Sequence, residues 1–185
     1  MHSRNPPNAG NQRTNGDRID LVVKRFNLDD TPPLQTPIDP NAQISKVQSP
    51  ADEKQHGDMR NVPYCEAMGS LMYATIGTRP DITFAVTLLS QYLKNPGHTH
   101  WEQAKRVIRY LKGTRDHELT FGSAGGIEGF TDANWGNDID DRHSICRYVF
   151  TLNGGAISWV LALHDGDDLL DGGGLSHNCC SCACR

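Results

Sequence analysis

The sequence predicts an α+β chain: a helical segment followed by a small antiparallel sheet of three strands, with disordered ends. Three observations carry that prediction. Apolar residues recur at helical spacing between Tyr64 and Gly113. After Gly113 the period switches to strand-like alternation, in runs separated by Gly125-Gly126 and Asn153-Gly154-Gly155. Outside this stretch the pattern fades, most completely at the two termini.

Residues 1–18 are rich in Asn, Arg, Pro and Gly and read as disordered, and Ile19 to Phe26 reads as a short helix. Asp29, Asp30, Pro32, Pro33, Pro37 and Pro40 then forbid regular structure and impose an extended backbone. The polar stretch from Ser45 to Asn61 reads as a surface linker. From Tyr64 to Gly77, Ala67, Met68, Leu71, Met72 and Ala74 fall at near-helical spacing. Pro80 suits the first position of the next helix, where its missing N–H costs little. Ala85, Val86, Leu89, Tyr92 and Leu93 keep the helical period until Asn95-Pro96-Gly97 stops it.

The last helix is the best defined. Thr99 and Glu102 have capping-box spacing. Trp101, Ala104, Val107, Ile108 and Leu111 share an arc of roughly 120° at 100° per residue. Lys105, Arg109 and Lys112, with Arg106 at the edge, occupy a different arc, which reads as a solvated face or as a surface for phosphates. Gly113 suits the C-terminal cap. Three strands follow, at residues 128–135, 147–152 and 156–160, the last two joined by an Asn-Gly turn.

Composition sets the outer bounds. The chain has 185 residues, room for one ordinary domain or two small ones. A hydrophobic share of 37% and a mean hydropathy of -0.55 point to much loop and little core. No apolar run approaches the roughly 18 residues of a membrane span, and residues 1–18 hold no apolar signal core. The expectation is a cytoplasmic or nuclear protein that is not secreted and contacts no membrane. Charge is divided unevenly. Up to Arg115 there are 15 basic and 11 acidic side chains, and from Asp116 onward 3 basic and 11 acidic. The first part suits a polyanion better than the second.

Several phrases carry a resemblance. They are Val62-Pro-Tyr-Cys-Glu-Ala-Met-Gly-Ser-Leu-Met-Tyr73, Thr78-Arg-Pro-Asp-Ile-Thr-Phe-Ala-Val86, and His100-Trp-Glu-Gln-Ala-Lys-Arg-Val-Ile-Arg-Tyr-Leu-Lys-Gly-Thr114. Then come Gly129-Phe-Thr-Asp-Ala-Asn-Trp135, Asp140-Asp-Arg142 and Gly154-Gly-Ala-Ile-Ser-Trp159. In order and spacing, these resemble the copia-type retrotransposon Pol polyprotein at the end of its reverse transcriptase and the start of its ribonuclease H domain. The resemblance implies the end of a polymerase palm and a linker over 19–60, and a thumb-like helical region over 61–114. It implies the start of a ribonuclease H-like domain over 115–160 and a non-homologous, frameshifted tail over 161–185. Its parent activity is RNA-directed DNA polymerisation with ribonuclease H, its partners an RNA–DNA or DNA duplex and other Pol or Gag chains.

Site residues follow from the same resemblance. Asp132 matches the family's first metal ligand, and magnesium is the metal of the parent enzyme. Lys105, Arg106, Arg109 and Lys112 become candidates for phosphate contact. The sequence also departs from the family, with Cys65 where Arg is usual and Arg147 where Gly is usual. A Thr-Glu-Ala-Glu-Tyr helix with a further catalytic carboxylate is expected after Trp159, and the sequence has none. The pairs Asp29-Asp30, Asp140-Asp141 and Asp167-Asp168 do not follow an aromatic strand, unlike the polymerase pair. Asp138, Asp140 and Asp141 read as solvated turn residues. Cys179, Cys180, Cys182 and Cys184 crowd the tail too closely for an ordinary zinc site. The expectation is a remnant without polymerase or ribonuclease H activity, with a non-catalytic nucleic-acid-binding module, or a subunit completing another Pol copy, as the alternatives.

Overall fold

In a computed structural model, residues 15–122, 125–134, 140 and 144–164 are described. Among these residues five α-helices precede three strands. They are α1 (Asn15–Arg25), α2 (Glu53–Met59), α3 (Tyr64–Gly77), α4 (Thr83–Ser90) and α5 (His98–Gly113), then β1 (Ile127–Asn134), β2 (Ser144–Leu152) and β3 (Gly155–His164). The α+β class expected from the change of period is what the chain adopts.

The core is helical. Helix α3 buries Tyr64, Ala67, Met68, Leu71 and Thr75, and α5 buries His100, Ala104, Val107, Ile108 and Leu111. Both sets are spaced three and four residues apart, so each lines one helix face. Ile19 and Val23 of α1 and Ala85, Val86 and Leu89 of α4 complete the cluster, with Phe26, Leu28, Ile44, Ile82 and Tyr92 from the connections. The Tyr64 hydroxyl donates to the Leu89 carbonyl at 2.8 Å, which satisfies a phenol that burial would otherwise penalise.

Several local expectations change. Helix α1 starts at Asn15, inside the stretch read as disordered; Asp17 lies in its first turn, where the helix dipole favours an acid, and Thr78 Oγ1 donates to Asn15 Oδ1 at 2.9 Å. Residues 1–14 lie outside the described residues. The stretch read as linker contains α2, whose Glu-Lys-Gln-His run is helix-prone but buries nothing. Helix α5 starts at His98 with Gly97 as N-cap, so Thr99 and Glu102 do not form the box; the His100 ring accepts the Gly97 N–H instead, at 2.8 Å. Finally, β3 runs on to His164, so the first four residues assigned to the tail continue a strand.

The sheet is an antiparallel meander in the order β1-β2-β3. Asn153 and Gly154 take positive φ values of 49° and 82°, as a two-residue hairpin turn of the I′ type requires. The sheet leans on the helices through Trp159, whose Nε1 donates to the Thr75 carbonyl at 3.0 Å. Gly155 admits the Phe121 ring, which would lie 2.4 Å from a Cβ placed there.

Candidate nucleic-acid interface and the Asp132 carboxylate

The cations of α5 lie beneath the proline-rich connection between α1 and α2. Lys112 Nζ donates to the carbonyls of Leu28 at 3.4 Å, Thr31 at 2.9 Å, and Asp29. Arg109 Nε donates to the Pro32 carbonyl at 2.8 Å, and Arg106 reaches Thr36 Oγ1 at 2.8 Å and Asp39 at 3.9 Å. Lys105 pairs with Glu102 at 2.7 Å and lies over the Trp101 ring. A strap broken by prolines lacks several N–H groups and cannot pair its own carbonyls in a ladder. The cations of α5 supply the missing donors. The arc is therefore a clamp, half-buried along its length, and three of its four cations reach the strap.

A second cluster joins two of the phrases singled out in the sequence. Arg79, only 1% exposed, forms a two-point pair with Asp81, Nε to Oδ1 at 2.9 Å and NH2 to Oδ2 at 2.7 Å. Its remaining N–H groups reach the Thr114 carbonyl at 3.0 Å and Thr114 Oγ1 at 2.5 Å. The Tyr110 hydroxyl donates to Asp81 at 2.8 Å while its ring lies under the guanidinium. Burial pushes the Asp81 carboxyl up, but the Arg79 and Tyr110 bonds outweigh it, and the group is held below the usual carboxylate range. Tyr110 is raised by burial and by the same acid. The sequence shows Arg-Pro-Asp as a helix start, but gives no sign that it closes onto the end of α5.

His100 is fully buried and stacks on Tyr92, ring centroids 4.0 Å apart. Its Nδ1 accepts from Gly97, so Nε2 carries the proton, 3.2 Å from the Ser45 carbonyl. Burial lowers its pKa below the ordinary histidine value. Beside it, Asp140 accepts from the Lys46 N–H at 2.6 Å and from the Tyr92 hydroxyl at 3.0 Å. Asp140 is thus engaged with the helical unit rather than solvated. Asp138, Asp141, Asp167, Asp168 and the tail cysteines lie outside the described residues.

Asp132 lies on β1 directly opposite Arg147 on β2. Its Oδ2 is 3.4 Å from Arg147 Nε. Among the described residues no group of three or more His, Cys, Asp and Glu side chains comes together that could hold a metal ion. A single carboxylate facing a guanidinium is not a donor set for two magnesium ions. No helix among the described residues is long and apolar enough to cross a membrane.

Comparison with known proteins finds Pol polyproteins of transposons among the relatives. The chain is 46% identical over 142 residues, 76% of its length, to a retrovirus-related Pol polyprotein from the transposon TNT 1-94 of Nicotiana tabacum. It is 34% identical over 148 residues to the Pol polyprotein from transposon RE2 of Arabidopsis thaliana. It spans 11% and 9% of the length of these two relatives. A secreted RxLR effector protein of Plasmopara viticola is 47% identical over 103 residues, 72% of that protein. No family model matches the chain, and no solved structure matches it.

Proposed function

We propose that this chain, which belongs to the copia-type retrotransposon Pol family, carries the stretch where the reverse transcriptase ends and ribonuclease H begins, and has neither activity by itself. In this reading the unit built on α3, α4 and α5 is the thumb-like region that grips a template–primer duplex, and β1 to β3 begin the ribonuclease H sheet. The observation that carries it is that Asp132 faces Arg147 instead of another carboxylate. Two-metal hydrolysis needs both ions clamped at once, which several carboxylates from different elements must do. Magnesium belongs to the parent enzyme. The test is cleavage of an RNA–DNA hybrid in Mg²⁺ or Mn²⁺ by the chain and by its Asp132→Asn form. Neither is expected to cleave, and cleavage dependent on Asp132 would overturn the reading.

The second reading is a non-catalytic nucleic-acid-binding module, or a subunit completing another Pol copy, and the basic balance up to Arg115 favours it. Its partners are an RNA–DNA or DNA duplex and other Pol or Gag chains, met in the cytoplasm or nucleus. Lys105, Arg106, Arg109 and Lys112 are its phosphate-binding groups, and a phosphate at Lys112 would take the place of one of the strap carbonyls that its ammonium now holds. Changing the four to Gln lowers the salt slope of DNA duplex binding by about 0.9 for each phosphate that is no longer neutralised. An unchanged slope leaves them as strap clamps alone. Residues 161–185 are a frameshifted continuation, and coding DNA without an alternative frame for Thr-Glu-Ala-Glu-Tyr after codon 160 would exclude that origin.

A further inference from the structure

We infer that Arg147 is a built-in counter-cation: it occupies the charge partnership that Asp132 would otherwise offer a divalent ion, and turns the acid into a mooring between the sheet and α4. The inference goes beyond the reading above and holds whether or not the helical unit grips a duplex. Register is its first support. Asp132 and Arg147 are direct cross-strand partners, so the pairing is set by the β1–β2 ladder and does not depend on a chance rotamer. The second support is the local chemistry. Arg147 Nε is shielded from solvent and makes no aligned hydrogen bond, so the carboxylate at 3.4 Å serves it as counter-charge. The third is position. The guanidinium carbon lies 5.7 Å from the centre of the Phe84 ring of α4, so one side chain touches an acid on the sheet and an aromatic on the helix. All three residues line a cleft of about 520 Å³ between Pro80–Phe84 and the sheet.

Asp132 itself is 65% exposed and Arg147 39%. A hydrated cation therefore has free access to the carboxylate, and charge, not closure, decides whether it stays. A divalent ion bound to Asp132 would sit within about 5 Å of the guanidinium, and even at the dielectric of water that repulsion weakens binding roughly tenfold. The same guanidinium loses its cross-strand counter-charge if the acid is removed.

The test is site-specific amide line broadening by Mn²⁺ in the full chain, with Arg147→Gln as the neutral variant of similar bulk. The expected result is that the amides of Thr131, Asp132 and Ala133 broaden at roughly tenfold lower Mn²⁺ in Arg147→Gln than in the unaltered chain. Arg147→Lys, which keeps the charge, should resemble the unaltered chain. Adding Asp132→Asn to Arg147→Gln should abolish the gain. Equal broadening in the unaltered chain and in Arg147→Gln would overturn the inference, as would a gain that survives Asp132→Asn. The mooring has its own readout: the Phe84 ring resonances should shift in both Arg147→Gln and Asp132→Asn, and a Phe84 indifferent to either change would sink it.

Discussion

The helical unit and the sheet are built from the same kind of residues and treat them differently. Every buried hydrophobic side chain among the described residues lies between Ile19 and Leu111. Among the side chains described the sheet contributes none, and Ile127, Phe130, Phe150, Leu152, Ile157 and Val160 remain exposed on it. A regular hydrogen-bond ladder and a sound hairpin turn are thus enough to specify strands, but they bury little unless a further layer covers the sheet. Stability and secondary structure are decided in different places in this molecule.

The largest expected effect that sharpens this contrast comes from Arg79. Arg79→Ala removes a fully buried side chain together with its bonds to Asp81 and Thr114 and should cost about 2–5 kcal/mol in urea unfolding. Leu71→Ala removes a fully buried side chain of α3 and should cost about 2–5 kcal/mol. A cost under about 1 kcal/mol for either would mean that the helical unit is not the seat of stability.

Acid is the next lever. The folded-state pKa values of Asp81 and His100 both lie below their unfolded values, so the stability each contributes is present above the unfolded pKa and is lost as pH falls through the folded one. His100 should act first, below about pH 6.5, and Asp81 below about pH 4. His100→Gln should flatten the upper part of the unfolding midpoint against pH, and Asp81→Asn the lower. A profile unchanged by both substitutions would remove these two groups from the account.

A smaller effect is expected at the junction. Removing the Trp159 indole donor by Trp159→Phe leaves the Thr75 carbonyl to water and should lower stability by about 1 kcal/mol. It should also raise amide exchange in β3 while leaving α3 to α5 unchanged. Exchange that rises equally in the helices would show one cooperative unit and break the contrast. Smallest of all, Phe150→Ala on the sheet should shift the urea midpoint by less than about 1 kcal/mol, since its ring is already partly in water. A loss comparable to Leu71→Ala would show the sheet to be a second core.

What was legible in the sequence follows from the same division. The apolar arc of α5 and the Asn153-Gly154 turn are local signals, and both are found in place. The cap of α5 was misplaced because a histidine ring at the third helical position can accept the N-cap N–H as a glutamate carboxylate does, and nothing local distinguishes the two. The basic arc was visible as a pattern, but its occupants were not, because Lys112 and Thr31 are 81 residues apart in the chain. Arg147 was visible as a departure from the family, while its place opposite Asp132 depends on strand register. Arg79, Asp81 and Thr114 lie in phrases that the sequence singles out, but nothing local shows that they close onto one another.

The clamp on the strap has an evolutionary corollary. Arg109 and Lys112 hold main-chain oxygens, which every residue possesses, so the identities of residues 28–32 are nearly irrelevant to that grip. What the grip constrains is spacing. A copy drifting without selection could exchange most of these side chains and keep the connection seated. Inserting or deleting one residue between Leu28 and Pro32 would instead slide the carbonyls past their donors. Tolerance of replacement, together with intolerance of changes in length, is the signature to expect of this segment across related copies.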